Sequence, residues 1–173
     1  TDEGGTLVTK EDKDMEKAVL SGVTYDRDQA KITVIRVPDV PGVAAKLFTP
    51  LSDNNIVVDM IIQNASVEGR TDLTFTVSRK ELKEAKRIIE TAAKAAGADR
   101  VEVDDDVAKI SIIGVDMVSH SGVAAKMFAT LAAEGINIMM ISTSEIKISC
   151  VIKSKYTELA VAALHDAFQL DKR

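Results

Sequence analysis

One segment of this chain occurs twice. Gly42-Val43-Ala44-Ala45-Lys46, followed by Leu47-Phe48, returns as Gly122-Val123-Ala124-Ala125-Lys126, followed by Met127-Phe128. The correspondence continues on both sides: Ala30-Lys31-Ile32-Thr33-Val34-Ile35 reads against Ala108-Lys109-Ile110-Ser111-Ile112-Ile113, and Ile56 through Asn64 reads against Ile136 through Ser144. A match that keeps strand, turn, helix and strand in one order is the mark of a duplicated module, so the fold must be built from one small unit used twice.

Composition then narrows the class. With 173 residues, 46% hydrophobic and 28% charged, the chain is of globular type and holds one sizeable core or two small ones. Its net charge of −5 is not offset by any basic cluster, and aromatic residues make up 3%, so neither a phosphate-tracking groove nor a base-stacking platform is expected. Nucleic acid is therefore not expected as a partner. No apolar run approaches the roughly 20 residues that span a bilayer and no charged-then-apolar leader opens the chain, so no membrane association is expected. Cys150, alone in the run Ile146-Lys147-Ile148-Ser149-Cys150-Val151, reads as a buried strand residue; a cytoplasmic, reduced setting is expected.

Along the chain, residues 1–18 read as a polar linker, with Gly4-Gly5 and the charged run Lys10 to Asp14. Because position 1 is Thr, the chain is expected to be cut from something longer, or processed. A lone strand, Val19 to Asp26, lies within 19–29. Repeat one, 30–104, follows as strand (Lys31 to Val37), turn (Pro38-Asp39-Val40-Pro41-Gly42), helix (with Val43, Leu47, Phe48 and Leu51 on one face), strand (Ile56 to Gln63), strand (Asp72 to Val77), helix (Lys80 to Ala96, stopped by Gly97) and strand (Arg100 to Val103). Pro50 is expected to kink or shorten the first helix. Repeat two, 105–173, runs strand (Val107 to Val115), turn, helix (Gly122 to Glu134), strand (Ile136 to Ile141), strand (Glu145 to Ile152) and helix (Lys155 to Phe168), and lacks a last strand. The strand Val19 to Asp26 is expected to fold back and supply it, which makes repeat one an insertion within repeat two.

Catalytic chemistry is poorly supported. Ser119-His120-Ser121 has nucleophile and base types, but sequence neighbours rarely face each other and no nucleophile elbow is present. His165 reads as a solvated or helix-capping residue. Asp104-Asp105-Asp106 lacks the spacing of a calcium loop and reads as a solvated linker, no metal site is expected, and no phosphate-binding loop occurs. What remains is the turn before each long helix. Unpaired amides at a helix start favour a carboxylate, and the small residues Gly42-Val43-Ala44 and Gly122-Val123-Ala124 let a ligand approach the backbone. Beside one turn stand Asp59, Gln63 and Asn64; beside the other stand Asn137, Thr143, Ser144 and Glu145. Amides for a carboxylate, with Asp59 or a carbonyl for an ammonium, describe a zwitterion site; the alternative is a pair of ordinary strand-to-helix connections. Asp59 and Gln63, four residues apart on one strand, are expected to share a face.

The stretches Pro38 to Ala44 with Asn55 to Asn64, and Ser119 to Val123 with Ile141 to Ser149, closely resemble the paired ACT domains at the regulatory end of bacterial aspartokinases. The resemblance covers essentially the whole chain, and Gly5 to Val8 and Met15 to Val19 resemble the segment that joins kinase and regulatory halves in that family. It implies an α+β fold of two ferredoxin-like βαββαβ ACT-type repeats, repeat one inserted within repeat two. It implies an allosteric role: aspartokinase phosphorylates aspartate with ATP at the first step toward lysine, threonine and methionine, and its ACT domains bind end-product amino acids that inhibit it. The expected effector is threonine, with lysine second. The kinase half is expected to be absent, so ATP and magnesium belong to a catalytic domain or subunit that would be the partner, and no cofactor is expected here. The resemblance assigns effector binding to Asp39, Pro41, Gly42, Val43, Ala44, Asp59, Gln63 and Asn64, and to Met117, Ser119, His120, Gly122, Val123, Asn137, Ile138, Thr143, Ser144 and Glu145. Met139 stands where repeat one has Asp59, so the two sites should differ. A homodimer through the repeats is expected. Two rivals are an RNA-binding split β-α-β module, for which Phe48, Phe75, Phe128 and Phe168 read too much like core, and an ACT module controlling another enzyme of amino-acid metabolism.

Overall fold

The structure is a computed structural model and describes residues 20–115 and 121–170. The expected linker over 1–18 lies outside the described residues. Ten elements follow one another: β1 (Leu20–Pro38), α1 (Val43–Asp53), β2 (Val58–Gln63), β3 (Arg70–Val77), α2 (Leu82–Ala96), β4 (Arg100–Gly114), α3 (Ser121–Ala133), β5 (Met140–Thr143), β6 (Lys147–Lys153) and α4 (Thr157–Phe168). Short 3₁₀ turns, Arg79–Glu81 and Ser154–Tyr156, lead into α2 and α4.

Two pairs of strands that the sequence separates are single strands here. Leu20 to Asp26, from the first expected strand, and Lys31 to Val37 merge into β1, while Arg100 to Val103 and Val107 to Gly114 merge into β4; Val19 lies outside the described residues and Val115 lies just past β4. Polar residues at each join are absorbed by breaks in register between Asp26 and Gln29 and between Gln29 and Lys31. A side chain satisfies a backbone amide at each place: Asp28 N–H donates to Asp26 Oδ1 at 2.8 Å, and Asp106 N–H donates to Asp104 Oδ1 at 3.0 Å. Asp104-Asp105-Asp106 is therefore a strand segment, not a linker. Asp104 also accepts from Lys153 Nζ at 2.7 Å on the neighbouring strand.

One antiparallel sheet runs in the order β2-β3-β1-β4-β6-β5. The C-terminal half of β1 pairs with β3 (Ala30↔Val77 to Pro38↔Arg70) and with the start of β4 (Lys31↔Asp104 to Ile35↔Arg100). Its N-terminal half pairs with the end of β4 (Gly22↔Ile113 to Asp26↔Lys109), which in turn pairs with β6 (Val107↔Lys153 to Ile113↔Lys147). Each repeat therefore has a four-stranded split β-α-β sheet, and the β1–β4 ribbon belongs to both. This is the α+β arrangement of two ferredoxin-like βαββαβ repeats, repeat one inserted within repeat two.

Helices cover each half of the sheet. Ile32, Val34, Leu73, Phe75 and Val77 from the strands meet Val43, Leu47, Leu51, Ala85, Ile88, Ile89 and Ala93 from α1 and α2. Phe48 meets Phe75 edge-on, with ring centroids 5.1 Å apart. The second core joins Ile110, Ile112, Ile148, Cys150 and Ile152 to Val123, Met127, Leu131, Ala160, Leu164 and Phe168, with Phe128 packed against it. Burial of each valine, leucine, isoleucine, methionine or phenylalanine among them contributes about 1.5–3 kcal/mol, so each repeat has a core of its own. Pro50 does not shorten α1: the helix runs to Asp53, and its counterpart α3 ends at the equivalent Ala133. The carbonyl that loses its donor belongs to Lys46, an exposed residue of the helix. A third, smaller cluster bridges the repeats: Met60 of β2, Val107 of β4, Met140 of β5 and Val151 of β6, with Ile62 and Met139 packed on it.

Candidate functional site

The turn of repeat one is built by glycine. Gly42 caps α1 with φ of 87°, in the left-handed region that other residues enter at a cost, and no side chain caps the helix. Val43 N–H donates to Val40 C=O at 3.2 Å, and Asp39 N–H donates to Gly69 C=O at 2.9 Å, which ties the turn to the β2–β3 loop. Asp39, Pro41, Gly42 and Ala44 are exposed while Val43 is buried in the core. First-turn amides such as those of Ala44 and Ala45 have no intrahelical acceptor, so the turn offers a small, solvent-facing set of donors.

Asp59 is engaged elsewhere in the same chain. Its carboxylate pairs with the ammonium of Lys109, a β4 residue that belongs to repeat two. Lys109 keeps 14% of its side-chain surface exposed and Asp59 34%, so the pair is sheltered but not dry. The expected shared face of Asp59 and Gln63 does not hold as argued. β2 carries an extra residue between Val58 and Ile61, so the two-residue alternation does not run from Asp59 through to Gln63. Beyond that bulge Met60 and Ile62 turn to the bridging cluster, while Ile61 and Gln63 are exposed. Lys109 was not singled out in the sequence, where nothing connects two residues fifty positions apart on non-adjacent strands.

Asn64 is exposed just past β2, and its carbonyl accepts from Thr71 Oγ1 at 2.8 Å. It lines a cavity of about 430 Å³ with Arg36, Arg70, Asp72 and Arg100 among its neighbours. Three carboxylates stand against the three guanidiniums: Arg36 and Arg70 both reach Asp99, at 3.3 and 3.6 Å, Arg100 reaches Glu102 at 2.7 Å, and Asp72 lines the cavity itself. The cavity has no surplus positive charge.

In repeat two, Met117, Ser119 and His120 lie outside the described residues. Gly122 and Asn137 are exposed, Val123 is buried, and Ile138 packs partly on the second core. Thr143, Ser144 and Glu145 are exposed at the β5–β6 turn. The Ser144 hydroxyl is used by that turn: it accepts from Lys147 N–H at 3.2 Å and Ile146 N–H at 3.4 Å. Met139, at the place equivalent to Asp59, packs on the bridging cluster, so the repeats differ in chemistry there. Burial pushes the Cys150 thiol up to about 12, which leaves it protonated and inert at neutral pH.

A family model of the ACT domain matches residues 32–92 and 110–168. The aspartate kinase of Pseudomonas fluorescens (strain SBW25) is 56% identical over 168 residues, 96% of this chain and 41% of the relative. The aspartokinase of Helicobacter pylori (strain 26695) is 46% identical over 97% of this chain and 42% of its own length. The chain thus spans about 41% of the curated relatives it matches. Among solved structures, one of aspartokinase alpha and beta subunits is 51% identical with a TM-score of 0.82, covering 87% of this chain and 99% of that one. The ligand-free regulatory subunit of aspartate kinase from Thermus thermophilus is 43% identical, again with a TM-score of 0.82 and the same coverage.

Proposed function

The chain belongs to the ACT-domain family, as the paired-repeat regulatory portion of an aspartokinase, and from that membership we propose that it binds end-product amino acids and feedback-inhibits ATP-dependent phosphorylation of aspartate. The observation that carries this reading is the exposed helix-start turn at Gly42, uncapped by any side chain and tied to the β2–β3 loop. These donors suit the carboxylate of a free amino acid, and Asp59, at the start of β2, suits its ammonium. Threonine is the proposed main effector and lysine the second; the catalytic domain or subunit of aspartokinase is the proposed target. The partner geometry is a homodimer in which repeat one of one copy lies beside repeat two of the other, so that a turn from one and Asn137 or Ile138 from the other close on the ligand.

Calorimetry on the chain with threonine, lysine and methionine tests the reading. Saturable binding of threonine or lysine is expected. Absence of binding by all three would remove the sensor function, and phosphorylation of aspartate by the chain alone with ATP would overturn its assignment as purely regulatory.

A further inference from the structure

We propose that Lys109 occupies the ammonium position of the repeat-one effector site, so that an effector and the contact between the two repeats compete for the same carboxylate. The inference rests on the effector reading above and deepens it. The Asp59 carboxylate of β2 and the Lys109 ammonium of β4 meet across the repeats, beside the cluster of Met60, Ile62, Val107, Met139, Met140 and Val151. Lys109 carries the same donor group as the α-ammonium of an amino acid: a tetrahedral cation with three N–H bonds. One carboxylate edge serves one such cation well, and the second cation in the same place adds like-charge repulsion. An amino acid that uses Asp59 must therefore displace Lys109 Nζ, and the junction then loses this sheltered ion pair.

The rest of that junction is suited to respond. It is a small cluster, half of it methionine, and unbranched thioether side chains repack with little cost. Its link to the sheet of repeat one is direct, since Met60 N–H donates to Thr76 Oγ1 at 3.2 Å. Effector binding at repeat one would thus be felt at repeat two through the loss of a charge pair and the shift of three methionines. Repeat two has no equivalent device, because Met139 replaces the acid.

Lys109→Met, which keeps the apolar stem and removes the charge, is the variant to measure, with Lys109→Gln beside it. Threonine should bind about five-fold or more tightly to either variant than to the parent, and Asp59→Asn should weaken binding in both backgrounds. On the unaltered chain, saturating threonine should move the methyl resonances of Met60, Met139 and Met140 while that of Met127, deep in the repeat-two helix core, stays in place. Affinity within twofold of the parent in the Lys109 variants, or weaker binding, overturns the competition. So does a threonine complex that leaves the three junction methyls unmoved, a result that needs no variant to fold. If no amino acid binds the parent, the effector reading falls first and the competition with it; binding to the parent with unchanged Lys109 variants removes the competition alone.

Discussion

Nothing stands within 4 Å of where a β-carbon would sit on Gly42, so Gly42→Ala is opposed by the backbone alone. With φ at 87°, that cost is about 1–2 kcal/mol. Gly135, at φ 69° and equally open, should lose the same stability on substitution with alanine. Thermal unfolding is expected to show equal drops for the two variants. Effector calorimetry should separate them, with Gly42→Ala weakening binding and Gly135→Ala leaving it unchanged. At Asp59 and Gln63, loss of a charge-assisted or polar contact should cost on the order of 1.5–3 kcal/mol, tenfold or more in dissociation constant, while both variants stay folded. If Asp59→Ala and Gln63→Ala both bind within about twofold of the parent while Asn137→Ala does not bind, the ammonium is held in repeat two. The bulge in β2 breaks the two-residue spacing between them, so the two variants are measured separately and a loss at one does not imply a loss at the other.

Among elements, the β1–β4 ribbon carries the most, because both repeats depend on it. Asp104 sits in its middle. Burial there acts to raise its carboxyl, but the Lys153 ammonium and the Asp106 amide outweigh it and hold the group below the usual carboxylate value. A depressed carboxyl stabilises the fold above the ordinary value of about 4 and loses that contribution as pH falls through its own lower value. Urea unfolding of Asp104→Asn between pH 7 and pH 2 should show lower stability than the parent at neutral pH and a gap that narrows in acid. A gap that is constant with pH would mean that the Lys153 contact is not what Asp104 contributes. Strand β6 makes the opposite case at Cys150: a thiol held up at about 12 stays protonated in the fold while the unfolded chain ionises near 8.5, so stability should fall as pH rises from about 9 toward 12. Thiol reagents at pH 8 should label Cys150 only after unfolding.

For the whole molecule, β2 and β5 are the outermost strands, and each exposes an isoleucine at the equivalent position, Ile61 at 55% and Ile141 at 41%. Open edges bearing apolar side chains are places where copies join. If the proposed dimer joins copies at these edges and closes the effector in between them, Ile61→Lys or Ile141→Lys should give a monomer in light scattering and weaken threonine binding in parallel. A parent chain that is monomeric at high concentration, with and without threonine, would remove the dimer.

The duplication, the β-α-β-β-α-β order, the apolar helix faces and the glycine turn are legible in the chain because each follows from short-range pattern: periodicities of two and of 3.6, a repeat, and a residue able to take positive φ. Pattern of that range has no access to what joins β1 into one strand across Asp26 to Gln29, or β4 across Asp104 to Asp106; polar residues read as breaks until partner strands and carboxylates are there to take up the amides. The same limit applied at Asp59. Its residue type and its place beside the turn point to an ammonium, but which ammonium reaches it depends on how a twisted ribbon shared by two repeats brings β4 toward an edge strand. That was decided by the tertiary structure, since an ion pair between residues fifty positions apart exists only once burial of the intervening cores has set both strands in place.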